Sequence, residues 1–148
     1  MKAQVERLDL NGKFFFLGFR PDGLSIIAGL DILVVPSVIL EVDGQPLSEG
    51  FGRVAAEAMG VGTPVIVSDV GGLPEVVGTE NAGLLVPPAN AQALAETVTD
   101  LCQNLPLQKS LVVAGKSRFE RCFTINRHVE AITNFYASIF QAPPNHRD

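Results

Sequence analysis

Two apolar runs constrain the fold of this chain most tightly: "LDILVVPS" (30–37) and "TPVIVSD" (63–69). Each is a nearly continuous string of Val, Ile and Leu, bounded by turn residues. A strand that alternates apolar and polar residues has one wet face. A strand that is apolar at every position is covered on both, the condition of a parallel sheet with helices above and below it. Two further β-rich runs, "KFFFLGF" (13–19) and "GLLVPP" (83–88), bring the expected strands to about four. Helices are expected at Asp22–Gly29, Gly52–Met59, Pro74–Val77, Asn90–Asn104, Leu107–Phe123 and Asn126–Phe140, the last being a terminal helix within 124–141. Strand and helix therefore alternate, which specifies an α/β doubly wound sheet.

The helix signals have physical causes. Asn90 follows "PP" as an N-cap, and Ala93, Leu94, Val98 and Leu101 make an apolar stripe at helical spacing. Pro74 suits a first helical position, and Glu75 beside it complements the positive end of the helix dipole. Pro106 is expected to separate two helices, and the tail "QAPPNHRD" to fray.

Composition removes several classes of function. The chain has 148 residues, 47% hydrophobic and 18% charged, the profile of one globular domain with a single core. Its net charge of −5 and its scattered basic residues exclude a nucleic-acid partner, which needs clustered Lys and Arg. No apolar stretch reaches the roughly 18 residues of a membrane span. The start, "MKAQVERLDLNGK", is polar and helix-like and not a signal peptide, so a cytoplasmic location is expected. Cys102 and Cys122 form no CxxC pair and have no histidine at metal-ligand spacing. They are expected to be reduced, packed thiols, with no metal bound.

In open parallel sheets, ligands bind outside the carboxyl ends of the strands. Three pieces leave such ends: Pro36–Ser37 with the loop beyond, Glu49–Gly52 where that loop enters a helix, and Asp69–Gly72. They should share one edge. Gly50 and Gly52 flank Phe51 at a helix start, where absent side chains allow close approach and free amides attract anions. With Gly71 and Gly72 they would make a cradle for a diphosphate or for sugar hydroxyls. Glu49 precedes the helix and can face the crevice. Glu57 sits inside it, and helical side chains lean toward the N-terminus, so both could serve one ligand. A carboxylate accepting two hydrogen bonds from a cis-diol is a common way to hold ribose. A solvated helix face is the plainer reading of Glu57, and spacing alone favours it slightly. Arg53, in the first helical turn, is placed to reach a phosphate or simply to lie on the surface.

Other chemistries fit less well. "GFGRVA" matches G-x-G-x-x-A, and Asp69 falls nineteen residues after Gly50. A dinucleotide fingerprint, however, has its first glycine directly after a strand, and here the twelve residues "VILEVDGQPLSE" intervene. Asp69 and Glu75 are explained equally well as a turn residue and a helix-start residue. His128 has no evident partner, His146 is in the tail, and Ser37 lacks the G-x-S-x-G elbow of a hydrolase.

The span "LVVPS…EGFGRVAAEAMGVGTPVIVSDVGGLPEVVG…GLLVPPANAQALAETV" resembles the C-terminal domain of family 4 glycosyltransferases, which have the GT-B fold. The match is strong over about residues 8–105, and Glu49 and Glu57 stand at the family's E-x7-E signature. The resemblance implies an incomplete Rossmann-like parallel sheet, the truncated C-terminal half of a GT-B fold. It implies sugar transfer from a nucleoside-diphosphate donor with retention and usually without a metal or other cofactor. Glu49 would lie by the donor sugar, and the backbone of Gly50, Phe51 and Gly52 would contact sugar hydroxyls and diphosphate. Glu57 would hold the ribose. Ser37 and Arg53 complete the expected donor-binding set. The "EVDGQPLSEGFG" loop, longer than the family's usual link, would fall beside the acceptor. Family members run to about twice this length. Their N-terminal acceptor domain, first two C-terminal strands and diphosphate-neutralising Arg/Lys pair have no counterpart here, so no transfer by this chain alone is expected. With those two strands missing, "KFFFLGF" either pairs directly with "LDILVVPS" or leaves an open apolar edge, and an open edge invites self-association or a separate N-terminal half. The other readings are a non-catalytic binding module completed by another polypeptide and, more remotely, an NAD-binding domain.

Overall fold

The computed structural model describes residues 1–141, so the rest of the tail, with His146, lies outside the described residues. In chain order the elements are α1 (Lys2–Arg7), α2 (Gly23–Ala28), β1 (Leu33–Val35), β2 (Leu40–Val42), β3 (Gln45–Leu47), α3 (Arg53–Val61), β4 (Val65–Ser68), α4 (Leu73–Val77), β5 (Leu84–Val86), α5 (Ala91–Gln103), α6 (Leu105–Cys122) and α7 (Ile125–Gln141). None of these helices is long and apolar enough to cross a membrane.

Three strands form the parallel sheet in the order β1-β4-β5, with Leu33 opposite Val65 and Ser68 opposite Val86. The unbroken apolar run of β4 is explained by where its side chains go. Val65 and Val67 enter one cluster with Val35, with Ala55, Ala58 and Met59 of α3, and with Leu73 of α4. Ile66, between them, enters a second cluster with Val86, Leu101 of α5 and Leu111 of α6. Successive side chains on a strand point to opposite faces, and here both faces are covered. Val65, Ile66 and Val67 are completely buried, each contributing about 1.5–3 kcal/mol of transfer free energy.

The expected fourth strand does not form. "KFFFLGF" forms no strand and has no ladder partner among the described residues, and Phe15 and Phe19 are 71% and 94% exposed. A strand needs a neighbour for its backbone donors and acceptors, and β1, at the sheet edge, pairs only with β4. Phe14 and Phe16 pack locally instead, with ring centroids 5.0 Å apart. Among the described residues the parallel sheet therefore has three strands and not about four.

A hairpin forms where the sequence reads as a loop. Strands β2 and β3 pair antiparallel, Leu40 opposite Leu47 and Val42 opposite Gln45. Asp43 and Gly44 join them with φ of +52° and +73°, the two left-handed residues of a type I′ turn. The helical half matches the sequence within a few residues. Asn90 caps α5 by accepting the Ala93 N–H at 3.0 Å. Pro106 does not separate two helices as expected: α5 and α6 meet at Asn104, which accepts the Leu107 N–H at 3.0 Å. Pro106 lies in the first turn of α6, where its missing N–H costs no helical bond. The two thiols are free, but Cys102 and Cys122 are exposed where packing was expected. Leu101 takes the inward position of α5 and turns Cys102 outward.

Candidate functional site

The loops that follow β1 and β4 are joined backbone to backbone. The Gly72 N–H donates to the Glu49 carbonyl at 3.0 Å. A Cβ on Gly71 would lie 2.0 Å from that same carbonyl oxygen, and one on Gly72 would lie 2.3 Å from the Gly50 carbonyl oxygen. These glycines thus permit a contact between two loops that no side chain allows. The expected shared edge of Glu49–Gly52 and Asp69–Gly72 is present. The amides of Gly52 and Gly72, anticipated as ligand donors, are both engaged inside the protein.

Glu49 is half-buried, and its Oε1 accepts the Gly52 N–H at 3.1 Å. Gly52 stands in the left-handed region (φ +82°) immediately before α3, and a Cβ there would meet Leu73 Cδ2 at 2.3 Å. The Glu49 carboxylate is therefore fixed at the mouth of the helix. Glu57 is also half-buried and pairs with Arg53 of the preceding turn, Nε to Oε1 at 3.0 Å. Both glutamates line a single cleft of ≈ 620 Å³, together with Arg20, Leu24, Ile27 and Val54.

The contribution of α2 to this cleft was not foreseen from the sequence. Thr63, 3% exposed, donates from Oγ1 to the Ile27 carbonyl at 2.7 Å and anchors α2 beside the start of β4. Arg20 then reaches the cleft, held by Asp22 through Nε at 2.8 Å and Nη2 at 2.6 Å. This fork raises the Arg20 pKa and lowers that of Asp22. The only sequence signal was an arginine followed two residues later by an aspartate, immediately after the apolar run.

On the other side of the Arg53–Glu57 pair lies a second cleft of ≈ 590 Å³, lined by Phe51, Phe119, Phe123, Ile125 and His128. Phe51 meets Phe123 edge-on, with centroids 5.6 Å apart. Arg118 holds this corner by donating from Nε to the Val76 carbonyl at 2.7 Å, with its guanidinium 5.7 Å from the Phe123 ring centroid. Ser37 is half-buried at the end of β1 and lines neither cleft. Among the described residues no three His, Cys, Asp or Glu side chains gather as metal ligands. Gly50 now follows a strand, β3, but that strand belongs to the hairpin and not to the parallel sheet.

The arrangement offers two carboxylates, a helix start and apolar walls along one cleft, the elements needed to hold a polar ligand with a planar, apolar end. Comparison with known proteins gives it a context. The family described as "Glycosyl transferases group 1" matches residues 1–118. The 2-deoxystreptamine N-acetyl-D-glucosaminyltransferase of Streptomyces fradiae is 35% identical over 117 residues, 78% of this chain and 26% of that protein. The lipopolysaccharide core biosynthesis mannosyltransferase LpsB of Rhizobium meliloti is 27% identical over 143 residues, 95% of this chain and 38% of that protein. Among solved structures, Anabaena HepE in complex with UDP superposes with a TM-score of 0.82 at 27% identity, over 93% of this chain and 35% of HepE. The sucrose-phosphate synthase of Thermosynechococcus elongatus gives 0.77 at 31% identity, over 96% of this chain and 34% of the synthase. The chain thus spans roughly a quarter to two-fifths of the length of these relatives.

Proposed function

We infer a function from one premise: the chain belongs to the group 1 glycosyl transferases, and its fold is part of the C-terminal domain of their GT-B architecture. It binds the nucleoside-diphosphate sugar in a transfer that retains configuration at the sugar and needs no metal or other cofactor. The observation that carries this reading is that Glu49 and Glu57 face one cleft at the carboxyl edge of the sheet. The donor lies along that cleft. Glu49 is the catalytic-centre residue beside the sugar, and Gly52 flanks the sugar and diphosphate at the start of α3, with the backbone of Gly50 and Phe51 leading into it and the Phe51 ring on the second cleft. Glu57 accepts the ribose hydroxyls. Ser37, expected among the donor-binding residues, lines neither cleft and takes no part in this reading. HepE has been solved with UDP and with UDP-glucose, which supports a donor of this class. The exposed free thiols Cys102 and Cys122 accord with the reducing cytoplasm.

Calorimetric titration of the purified chain with UDP, UDP-glucose, GDP, ADP and NADH tests the reading. One nucleoside diphosphate and its sugar form should bind in preference to NADH. Tighter binding of NADH would return the Gly50–Gly52 motif to a dinucleotide role.

Transfer by the 148-residue chain alone is not expected. Both arginines of the cleft stand beside carboxylates, Arg20 with Asp22 and Arg53 with Glu57, which offset the positive charge that would neutralise a departing diphosphate, a term that often dominates catalysis. Transfer to a simple acceptor by the purified chain would contradict this. The reading as a binding module has its own support in two exposed apolar surfaces, Phe14–Phe19 and the α7 positions Ile125, Val129, Ile132 and Phe135. Such surfaces mark interaction sites. The chain is expected to elute as a species larger than its 15.8 kDa monomer, and Phe15→Ser with Phe19→Ser should shift it toward monomer. A monodisperse monomer that unfolds cooperatively would count against association.

A further inference from the structure

We propose that Arg53 is a positioning residue for donor binding, acting through the Glu57 carboxylate and not on the diphosphate. The inference rests on the reading that Glu57 holds the ribose. Three observations lead to it. First, Arg53 is the first residue of α3, where the positive end of the helix dipole opposes a cation. Its order relative to Glu57, with the arginine N-terminal at i,i+4, is the weaker of the two orientations. The pair therefore adds little to the helix, as expected for an arginine side chain that is 85% exposed.

Second, the two side chains together form the wall between the two clefts, and both border each of them. A glutamate on such a wall has rotamers directed to either side: toward Glu49 and the donor cleft, or toward Phe51, Phe123 and His128. Third, Arg53 Nε lies 3.0 Å from Glu57 Oε1. That contact restrains the carboxylate. Ordering a flexible side chain costs rotamer entropy on binding. A contact that orders it beforehand removes part of that cost.

The test compares UDP with uridine, which lacks phosphate, in the wild-type chain, Arg53→Ala, Glu57→Gln and the double variant. Affinities are read by titration for UDP and by competition for uridine. If Arg53 acts through Glu57, Arg53→Ala weakens UDP and uridine by the same factor, about threefold. It has no further effect in the Glu57→Gln background. Arg53→Lys, which lacks the planar guanidinium, should recover only part of the loss. Helix content and melting of Arg53→Ala should match wild type, because the side chain is exposed. Weakening of UDP with uridine unaffected would assign Arg53 to the phosphates and overturn the proposal. So would equal effects of Arg53→Ala in the wild-type and Glu57→Gln backgrounds, or UDP binding that depends on Glu57 and is indifferent to Arg53. Failure of the wild-type chain to bind any nucleotide would overturn the donor reading, and this assignment with it.

Discussion

Gly71→Ala should destabilise the chain by about 2–4 kcal/mol and remove nucleotide binding with it. Two costs combine. Gly71 has φ of +58°, where an L-residue with a Cβ costs roughly 1–2 kcal/mol. The added methyl would also lie 2.0 Å from the Glu49 carbonyl oxygen and 3.1 Å from Ser48 Oγ. The first of these is backbone, so no rotamer change relieves the clash, and the loops after β1 and β4 must separate. Separation breaks the bond from the Gly72 N–H to the Glu49 carbonyl and moves the carboxylate that Gly52 holds. Gly50→Ala is the matched control: a Cβ at Gly50 meets nothing within 4 Å, so stability should change by less than about 0.5 kcal/mol. Chemical unfolding of the two variants checks the pair. Equal, small effects would mean that the loops are not locked together.

The same contact shows where sequence reasoning succeeds and where it stops. That Glu49–Gly52 and Asp69–Gly72 share an edge follows from topology, because both leave carboxyl ends of parallel strands. What the glycines do there is not legible. A glycine needed for a ligand's approach and one needed for another loop's approach leave the same mark in a sequence, and only the distance to the Glu49 carbonyl separates them. The burial of β4 on both faces was legible for the opposite reason: it is written into the identity of each residue, Val65, Ile66 and Val67 in turn.

Strands at the margins were misread because strand formation depends on a partner. "KFFFLGF" has the composition of a strand, yet nothing in the seven residues says whether a neighbour exists. The hairpin errs the other way. Its Asp43–Gly44 turn between two short apolar runs is a strong local signal, but Glu41, Pro46 and the exposure of both strands dilute the pattern. The role of α2 in the cleft was beyond reach. Its position depends on Thr63 binding the Ile27 carbonyl, a contact between residues 36 apart in the chain. A buried threonine after a helix gives no hint of its acceptor.

The second large effect separates the two glutamates. Glu57→Ala should reduce UDP affinity by about ten- to a hundredfold, the loss expected when hydrogen bonds to a charged group disappear. Stability should hardly change, because the Arg53–Glu57 pair lies at the surface, with Arg53 exposed and Glu57 half-buried, and such pairs are worth at most about 1 kcal/mol. The same variant should bind 2′,3′-dideoxyuridine diphosphate as well as the wild-type chain does, since that ligand has no diol for the carboxylate to accept. Glu49→Ala should behave differently. It removes the acceptor of the Gly52 N–H, costing about 0.5–2 kcal/mol in the manner of a lost helix cap, while UDP still reaches Glu57. What it should lose is the difference in affinity between UDP-glucose and UDP, because the proposed reading puts Glu49 at the sugar end of the cleft. Glu49→Gln retains an oxygen for the Gly52 N–H and so separates the structural part of that loss from the part that needs the charge. If Glu57→Ala and Glu49→Ala instead weakened UDP, UDP-glucose and the dideoxy analogue alike, the two carboxylates would be supporting the shape of the cleft without contacting the donor, and the order sugar, diphosphate, ribose along it would be wrong.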